Sequence, residues 1–158
     1  MDTHLFSYLE KHGIHYTKYE HPAVFTVAES SKIILNPIEK HTKNLLLKDE
    51  KNQFYLICLA AEKRLLLAFL RKHLQIKELE FATPTELKEQ LNVTPGSVSL
   101  FSIIYAKHVH LILDEDLWSA PLTGFHPNEN TSTLIISHEN LKKFYDSLPG
   151  KKEVITFA

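Results

Sequence analysis

The spacing of apolar and polar residues changes period several times along the chain. Over residues 2–12, Leu5, Phe6 and Leu9 fall on one helical face, and Gly13 follows as a stop signal, which predicts an amphipathic helix. IHYTKYE then alternates with the period of a strand, and HPAVF turns the chain. In TVAES, Thr26 is placed to cap a helix and Glu29 to reach back to it, so a short helix is expected to about Leu35, ended by Asn36-Pro37. KNLLLKD and QFYLICLA, separated by EKN, predict a hairpin whose strands are apolar on both faces. KRLLLAFLRKHL returns to helical spacing through Leu66, Phe69, Leu70 and His73 or Leu74. FATPTELKEQL marks a helix start more strongly: Thr83 caps, Pro84 takes the first helical position and Glu86 completes the box. NVTPGSVSL is a loop punctuated by Pro95-Gly96. FSIIYA and HVHLILD are expected to be another strand pair. LWSAPLTGF leads to a polar loop, STLIIS reads as a strand, and HENLKKFYDSL as a last helix before Pro149-Gly150.

Helices and short strands are thus interspersed, with no repeat and no interior linker. The expected class is α+β or mixed α/β with one sheet, and a single domain over residues 1–158. With 44% hydrophobic and 23% charged residues, the composition is that of an ordinary globular protein with a sizeable core. The formal net charge of −1 argues against gripping long nucleic acid by charge alone, and leaves contact with one end of a nucleic acid open. No apolar run reaches the ~20 residues needed to cross a bilayer, and the polar, amphipathic start is not a signal peptide, so a cytoplasmic location is expected. Cys58, the only cysteine, lies in the apolar run FYLICLAA. It is read as a small core residue in a reducing compartment, the sharper alternative being a catalytic thiol.

Candidate chemistry comes from few places. Among ten histidines, His108 and His110 would share a strand face, but no H-E-x-x-H and no paired C-x-x-C accompanies them, so no metal is expected. The four glycines form neither G-x-G-x-x-G nor a phosphate loop, so no cofactor is expected either, and the absence of G-x-S-x-G leaves an α/β-hydrolase triad without support. HTKNLLL places Lys43 and Asn44 at the start of an apolar strand, as a solvated strand end or as functional groups. TPGSVS places Gly96 and Ser97 in an ordinary turn or in a loop whose N–H groups face a ligand. LTGFHPNENTST is longer and more polar than a plain turn of two to five residues requires, and Pro127 biases His126 towards extended backbone.

Taken in order, HPAVFT, HTKNLLL, VTPGSVS and FHPNENT resemble the YbaK/prolyl-tRNA-synthetase-associated domain family. The resemblance runs from about His21 to Leu148 and is nearest to the free-standing prolyl-tRNA editing proteins of the ProX type. It implies a mixed sheet curled towards a barrel, with helices around it. It implies hydrolysis, in trans, of the ester of mischarged tRNA(Pro), chiefly alanyl-tRNA(Pro). A cysteinyl-tRNA(Pro) deacylase, or a catalytically silent module that holds tRNA or a synthetase, is the alternative. Lys43 matches the family's critical lysine and Asn44 its neighbour. Gly96 and Ser97 match the glycine loop beside the pocket, His126 the histidine of the F-H-P loop, and Phe25 and Thr26 the first helix start. An aminoacyl ester is already activated, so its hydrolysis asks for a held water and a stabilised oxyanion more than a strong nucleophile. Lys43 would supply the cation, N–H groups around Gly96 and Ser97 would face the carbonyl oxygen, and His126 would either shape the amino-acid pocket or hold water. Two positions depart from the family pattern: Leu100 stands where the glycine loop usually has proline, and Gly124 where the F-H-P loop usually has a preceding asparagine. The implied partners are the acceptor end of mischarged tRNA and prolyl-tRNA synthetase or the elongation machinery. The cations available for a local patch are Lys40, Lys43, Lys48, Lys63, Arg64, Arg71 and Lys72.

Overall fold

The structure is a computed structural model that describes residues 2–21 and 39–157. The first helix, α1 (Thr3–Lys11), is capped by Asp2, whose carboxylate accepts the Leu5 N–H at 3.0 Å. Its apolar face buries Leu5 and Leu9, and Gly13 turns out of it at φ +67°. Strand β1 (Thr17–Glu20) follows. The expected helix after Thr26 lies outside the described residues. The chain is described again from β2 (Glu39–Asp49) and β3 (Phe54–Ala60), the expected hairpin. Its turn is fixed by Asp49, whose carboxylate accepts the N–H groups of Lys51 and Gln53, and by Asn52 at φ +62°. Next come α2 (Leu67–Leu74), β4 (Leu79–Phe81) and α3 (Pro84–Leu91). The capping box on α3 forms as expected: the Thr83 hydroxyl accepts the Glu86 N–H, and the Glu86 carboxylate accepts the Thr83 N–H. A 3₁₀ helix (Leu100–Tyr105), β5 (Val109–Asp114), α4 (Glu115–Trp118), β6 (Leu122–Phe125), β7 (Ser132–Ser137), α5 (His138–Ser147) and β8 (Lys152–Ile155) complete the order.

The eight strands among the described residues join one mixed sheet in the order β1-β7-β6-β2-β3-β5-β8, with β4 paired to β2. Among the described residues its two ends do not meet, so the sheet is open. Alternation along the β2–β3 hairpin sorts the core into two parts. Leu46, Leu56 and Cys58 point into the larger one, with Leu111, Leu134, Phe101, Phe125 and Phe144. Leu47, Tyr55, Ile57 and Leu59 point to the other face, which α2 covers through Leu70. Cys58 is fully buried, and burial pushes its thiol well above the usual range, which is the core reading of that residue.

Four expectations are corrected. FSIIYA is 3₁₀ helix rather than strand: the Ser99 side chain accepts the Phe101 N–H, and Leu100, Phe101, Ser102 and Ile103 are all buried. A short run apolar all round carries no period that separates helix from strand. Lys43 is not at the start of its strand, because β2 begins at Glu39. His108 precedes β5, so it does not share a strand face with His110, which lies 2.7 Å from Glu153 instead. The helix expected from KRLLLAFLRKHL starts at Leu67, with Leu66 as its cap and 36% exposed. Strands β4 and β8 were not predicted. Glu80 and Phe81 of β4 are exposed, and every residue of β8 is half-buried, so neither shows the alternation of a strand with one buried face.

Candidate functional site

Strand β2 carries the first two candidates. Parallel pairing with β6 sets Lys40 beside Thr123 and His41 beside Gly124, and the Thr42 hydroxyl donates to the Gly124 carbonyl at 2.7 Å. The F-H-P loop therefore leaves β6 next to the segment that bears Lys43. Lys43 pairs across the hairpin with Leu59 and Asn44 with Cys58, so their side chains leave opposite faces of the sheet. The Lys43 ammonium donates to the carbonyl of Lys63. Partial burial lowers its pKa, and the Glu62 carboxylate opposes that shift. The turn that presents Lys63 is anchored from below: the Lys63 ammonium reaches Asp114 at 2.9 Å and Asp116 at 2.8 Å, and buried Asp114 also accepts the Ala60 N–H at 3.2 Å.

The connection from Phe125 to Ser132 carries His126. Its ring is largely buried, and Nδ1 lies 3.0 Å from the Ser132 carbonyl. A carbonyl only accepts, so Nδ1 bears the proton and the neutral ring leaves Nε2 with a free lone pair. Burial lowers the His126 pKa, the Ser132 carbonyl acts the other way, and His21 lowers it further. The His21 ring stands 5.9 Å from that of His126, centroid to centroid, and its Nε2 is 2.8 Å from the Thr133 hydroxyl. Asn128, at φ +63°, donates to Asp2 at 3.0 Å, and the Tyr105 hydroxyl donates to the same carboxylate at 2.7 Å. The start of the chain thus pins the loop that follows His126.

Gly96 and Ser97 sit in the turn after α3, with Gly96 at φ +89° and the Ser97 N–H donating to the Thr94 carbonyl at 3.1 Å. Among the described residues no hydrogen bond joins this turn to Lys43 or His126. Phe25 and Thr26 lie outside the described residues. Among the described residues, no three histidine, cysteine or acidic side chains are grouped to hold a metal ion, and no helix is long and apolar enough to cross a membrane.

A model of the aminoacyl-tRNA editing domain matches residues 21–144. The chain belongs to the aminoacyl-tRNA editing domain family. It is 32% identical over 138 residues to the prolyl-tRNA editing protein ProX of Acetoanaerobium sticklandii, covering 85% of this chain and 84% of that protein. It is 30% identical over 154 residues to the prolyl-tRNA synthetase associated domain-containing protein 1 of Danio rerio, covering 95% and 84%. A crystal structure described as a candidate trans-editing enzyme for prolyl tRNA synthetase shares the fold, with a TM-score of 0.77 at 21% identity over 99% of this chain and 97% of that one.

Within this editing domain, sequence reading missed His21 and Asp114. His21 carries a signal: like His126, it precedes a proline in the sequence, and the two rings lie near each other in the fold. Asp114 carries none, being one acidic residue at the end of an apolar strand. The candidate cations also sort themselves. Lys40 pairs with Glu62 at 3.3 Å, Lys48 with Glu86 at 2.7 Å, and Lys63 with its two aspartates. Arg64, Arg71 and Lys72, like Lys43, make no ion pair among the described residues.

The buried imidazole gives a pH prediction. An unfolded histidine titrates near ~6.5, and the His126 value in the fold lies below that. Above ~6.5 both states hold it neutral and its contribution to stability is complete; as pH falls through the lowered folded value, the unfolded state takes up the proton first and that contribution is lost. Unfolding free energy should therefore fall more steeply with acidification in the native protein than in His126→Gln. Equal slopes for the two proteins in urea titrations would refute this.

Proposed function

We propose that this editing domain hydrolyses the ester of mischarged tRNA(Pro) in trans, with alanyl-tRNA(Pro) as its substrate. The observation that carries the reading is the placement of Lys43: a half-buried ammonium in mid-strand, on the segment that β6 brings beside the F-H-P loop. Its cation serves the terminal phosphate or the negative charge that develops on the carbonyl oxygen. The Gly96 N–H, free of the turn bond that Ser97 makes, is an oxyanion donor in this scheme, and Ser97, Asn44 and Gly124 line the substrate with Phe25 and Thr26. His126, neutral with Nε2 unprotonated, holds water or shapes the amino-acid pocket. A pocket discriminates poorly in favour of a smaller side chain but excludes a larger one by clash, so an alanine-sized cavity spares correctly charged prolyl-tRNA. Residues 1–158 act as one editing unit in the cytoplasm, on the acceptor end of tRNA, alongside prolyl-tRNA synthetase or the elongation machinery. No metal or cofactor takes part in this scheme.

Purified protein offered alanyl-, cysteinyl- and prolyl-tRNA(Pro) should release alanine fastest and spare proline. Faster release of cysteine would place it in the cysteinyl branch. Binding without release from any of the three would make it a silent tRNA-holding module, a reading favoured by the departures at Leu100 and Gly124.

A further inference from the structure

Among the described residues, main-chain pairing along the outer edge of β2 leaves Asn44 with neither its N–H nor its C=O paired. The Ala61 N–H reaches the His41 carbonyl at 2.9 Å, and at the other end of the hairpin the Asp49 N–H reaches the Gln53 carbonyl at 3.0 Å. In an antiparallel ladder, residues facing the partner alternate with residues facing away. His41, Lys43, Leu45, Leu47 and Asp49 therefore turn their N–H and C=O groups to β3, and Thr42, Asn44, Leu46 and Lys48 turn theirs to the opposite edge. Along that edge β6 pairs as far as His41, β4 begins at Leu47, and the Leu46 carbonyl takes the Ala82 N–H at 2.9 Å. Asn44 stands between them. Among the described residues nothing pairs with its main-chain N–H or C=O, and its side-chain Oδ1 is buried without a partner. Buried polar groups in folded proteins are normally paired, and an unpaired strand edge is a template for another main chain.

We propose that the main chain of Asn44 is the seat for the aminoacyl group of the substrate. The inference rests on the deacylase reading and names where in that site the ester binds. A closely paired residue in an antiparallel ladder gives one N–H and accepts one. An α-aminoacyl ester offers the matching set, one carbonyl oxygen and one α-ammonium. The Asn44 N–H donates to the ester carbonyl, and its C=O accepts from the ammonium. The arrangement adds a second oxyanion donor to the Gly96 N–H, a place the Ser97 N–H does not take because it is held by Thr94. In the reaction, water adds to the acyl carbon and the acyl–oxygen bond to the terminal ribose breaks. Hydroxyl goes to the acyl group and the remaining proton to the ribose oxygen, while the Asn44 N–H stays bonded to the oxygen that carries the charge. Main-chain recognition reads no side chain, so size selection is left to the walls of the pocket.

The probe is 3′-(L-alanyl)amino-3′-deoxyadenosine, an amide that is not hydrolysed, with the lactyl amide, which lacks the ammonium, as its counterpart. In ¹⁵N-labelled protein the Asn44 amide should exchange with solvent much faster than those of Lys43 and Leu45. Saturation with the alanyl probe should slow it at least ~10-fold, and the lactyl probe should bind about 10-fold more weakly, as expected for loss of a charge-assisted hydrogen bond. An Asn44 amide that stays unprotected at saturation, equal affinity for the two probes, or no binding of either would overturn the seat. Protection of Asn44 with no turnover of any mischarged tRNA would leave the seat standing and remove the hydrolytic reading. Turnover without protection would remove the seat alone.

Discussion

Lys43→Ala should lower kcat/KM on alanyl-tRNA(Pro) by about 100- to 1,000-fold, the usual loss when one group aimed at developing charge is removed from an active site. The fold should be unharmed. The Lys43 ammonium donates to a main-chain carbonyl rather than to a buried carboxylate, so its removal leaves no uncompensated charge inside the protein. The partners that build the turn beneath it, Lys63 with Asp114 and Asp116, remain in place. Partial burial lowers the Lys43 pKa, yet Glu62 opposes the shift and favours the charged form at neutral pH. Lys43→Arg keeps the charge but replaces a compact ammonium with a planar fork, so it should recover only part of the activity. The measurement is single-turnover release of alanine, with thermal unfolding run alongside. Wild-type hydrolysis by the alanine variant would end the role assigned to Lys43, whereas lost activity with a lowered melting temperature would make it a structural residue.

The elements legible in the sequence were those with a period or a cap. Leu5 and Leu9 marked α1, the run from Leu45 to Leu59 marked the hairpin, and Thr83, Pro84 and Glu86 marked α3; each forms where its chemistry required. Lys43 and His126 were singled out as candidates less by their local features, a cation beside an apolar run and a histidine before proline, than by the order of the four family-like motifs. What escaped was set by distant partners. Strand β8 exists because Lys152 to Ile155 pair in parallel with Leu111 to Asp114, and nothing within KKEVITFA announces that. The opposite facing of Lys43 and Asn44 follows from the β2–β3 register, and the unclaimed edge at Asn44 from where β6 stops and β4 begins. Those are facts of topology, invisible to a window of neighbouring residues.

Phe101→Ala should destabilise the protein by about 3–5 kcal/mol, the range for truncating a fully buried phenylalanine. Phe101 is fully buried in the 3₁₀ helix, at the centre of the larger core. Its ring meets Phe144 edge-on at 5.1 Å and Phe125 at 5.6 Å, and such contacts add about 0.5–1.5 kcal/mol beyond the area they bury. Alanine would leave a cavity between two rings carried by β6 and α5, elements anchored in the sheet and the helix layer, so collapse around it is limited. For a chain of this length the melting temperature should drop by roughly 6–20 °C. Phe125 directly precedes His126, so the same cavity should loosen the F-H-P loop and weaken deacylation before the protein unfolds. Phe81 is the control: it is 57% exposed on β4, and Phe81→Ala should change stability by no more than about 0.5 kcal/mol. Phe101→Leu, which fills most of the space, should cost much less than Phe101→Ala. Equal melting temperatures for Phe101→Ala and Phe81→Ala would show that the three-ring cluster is not what holds the larger core together.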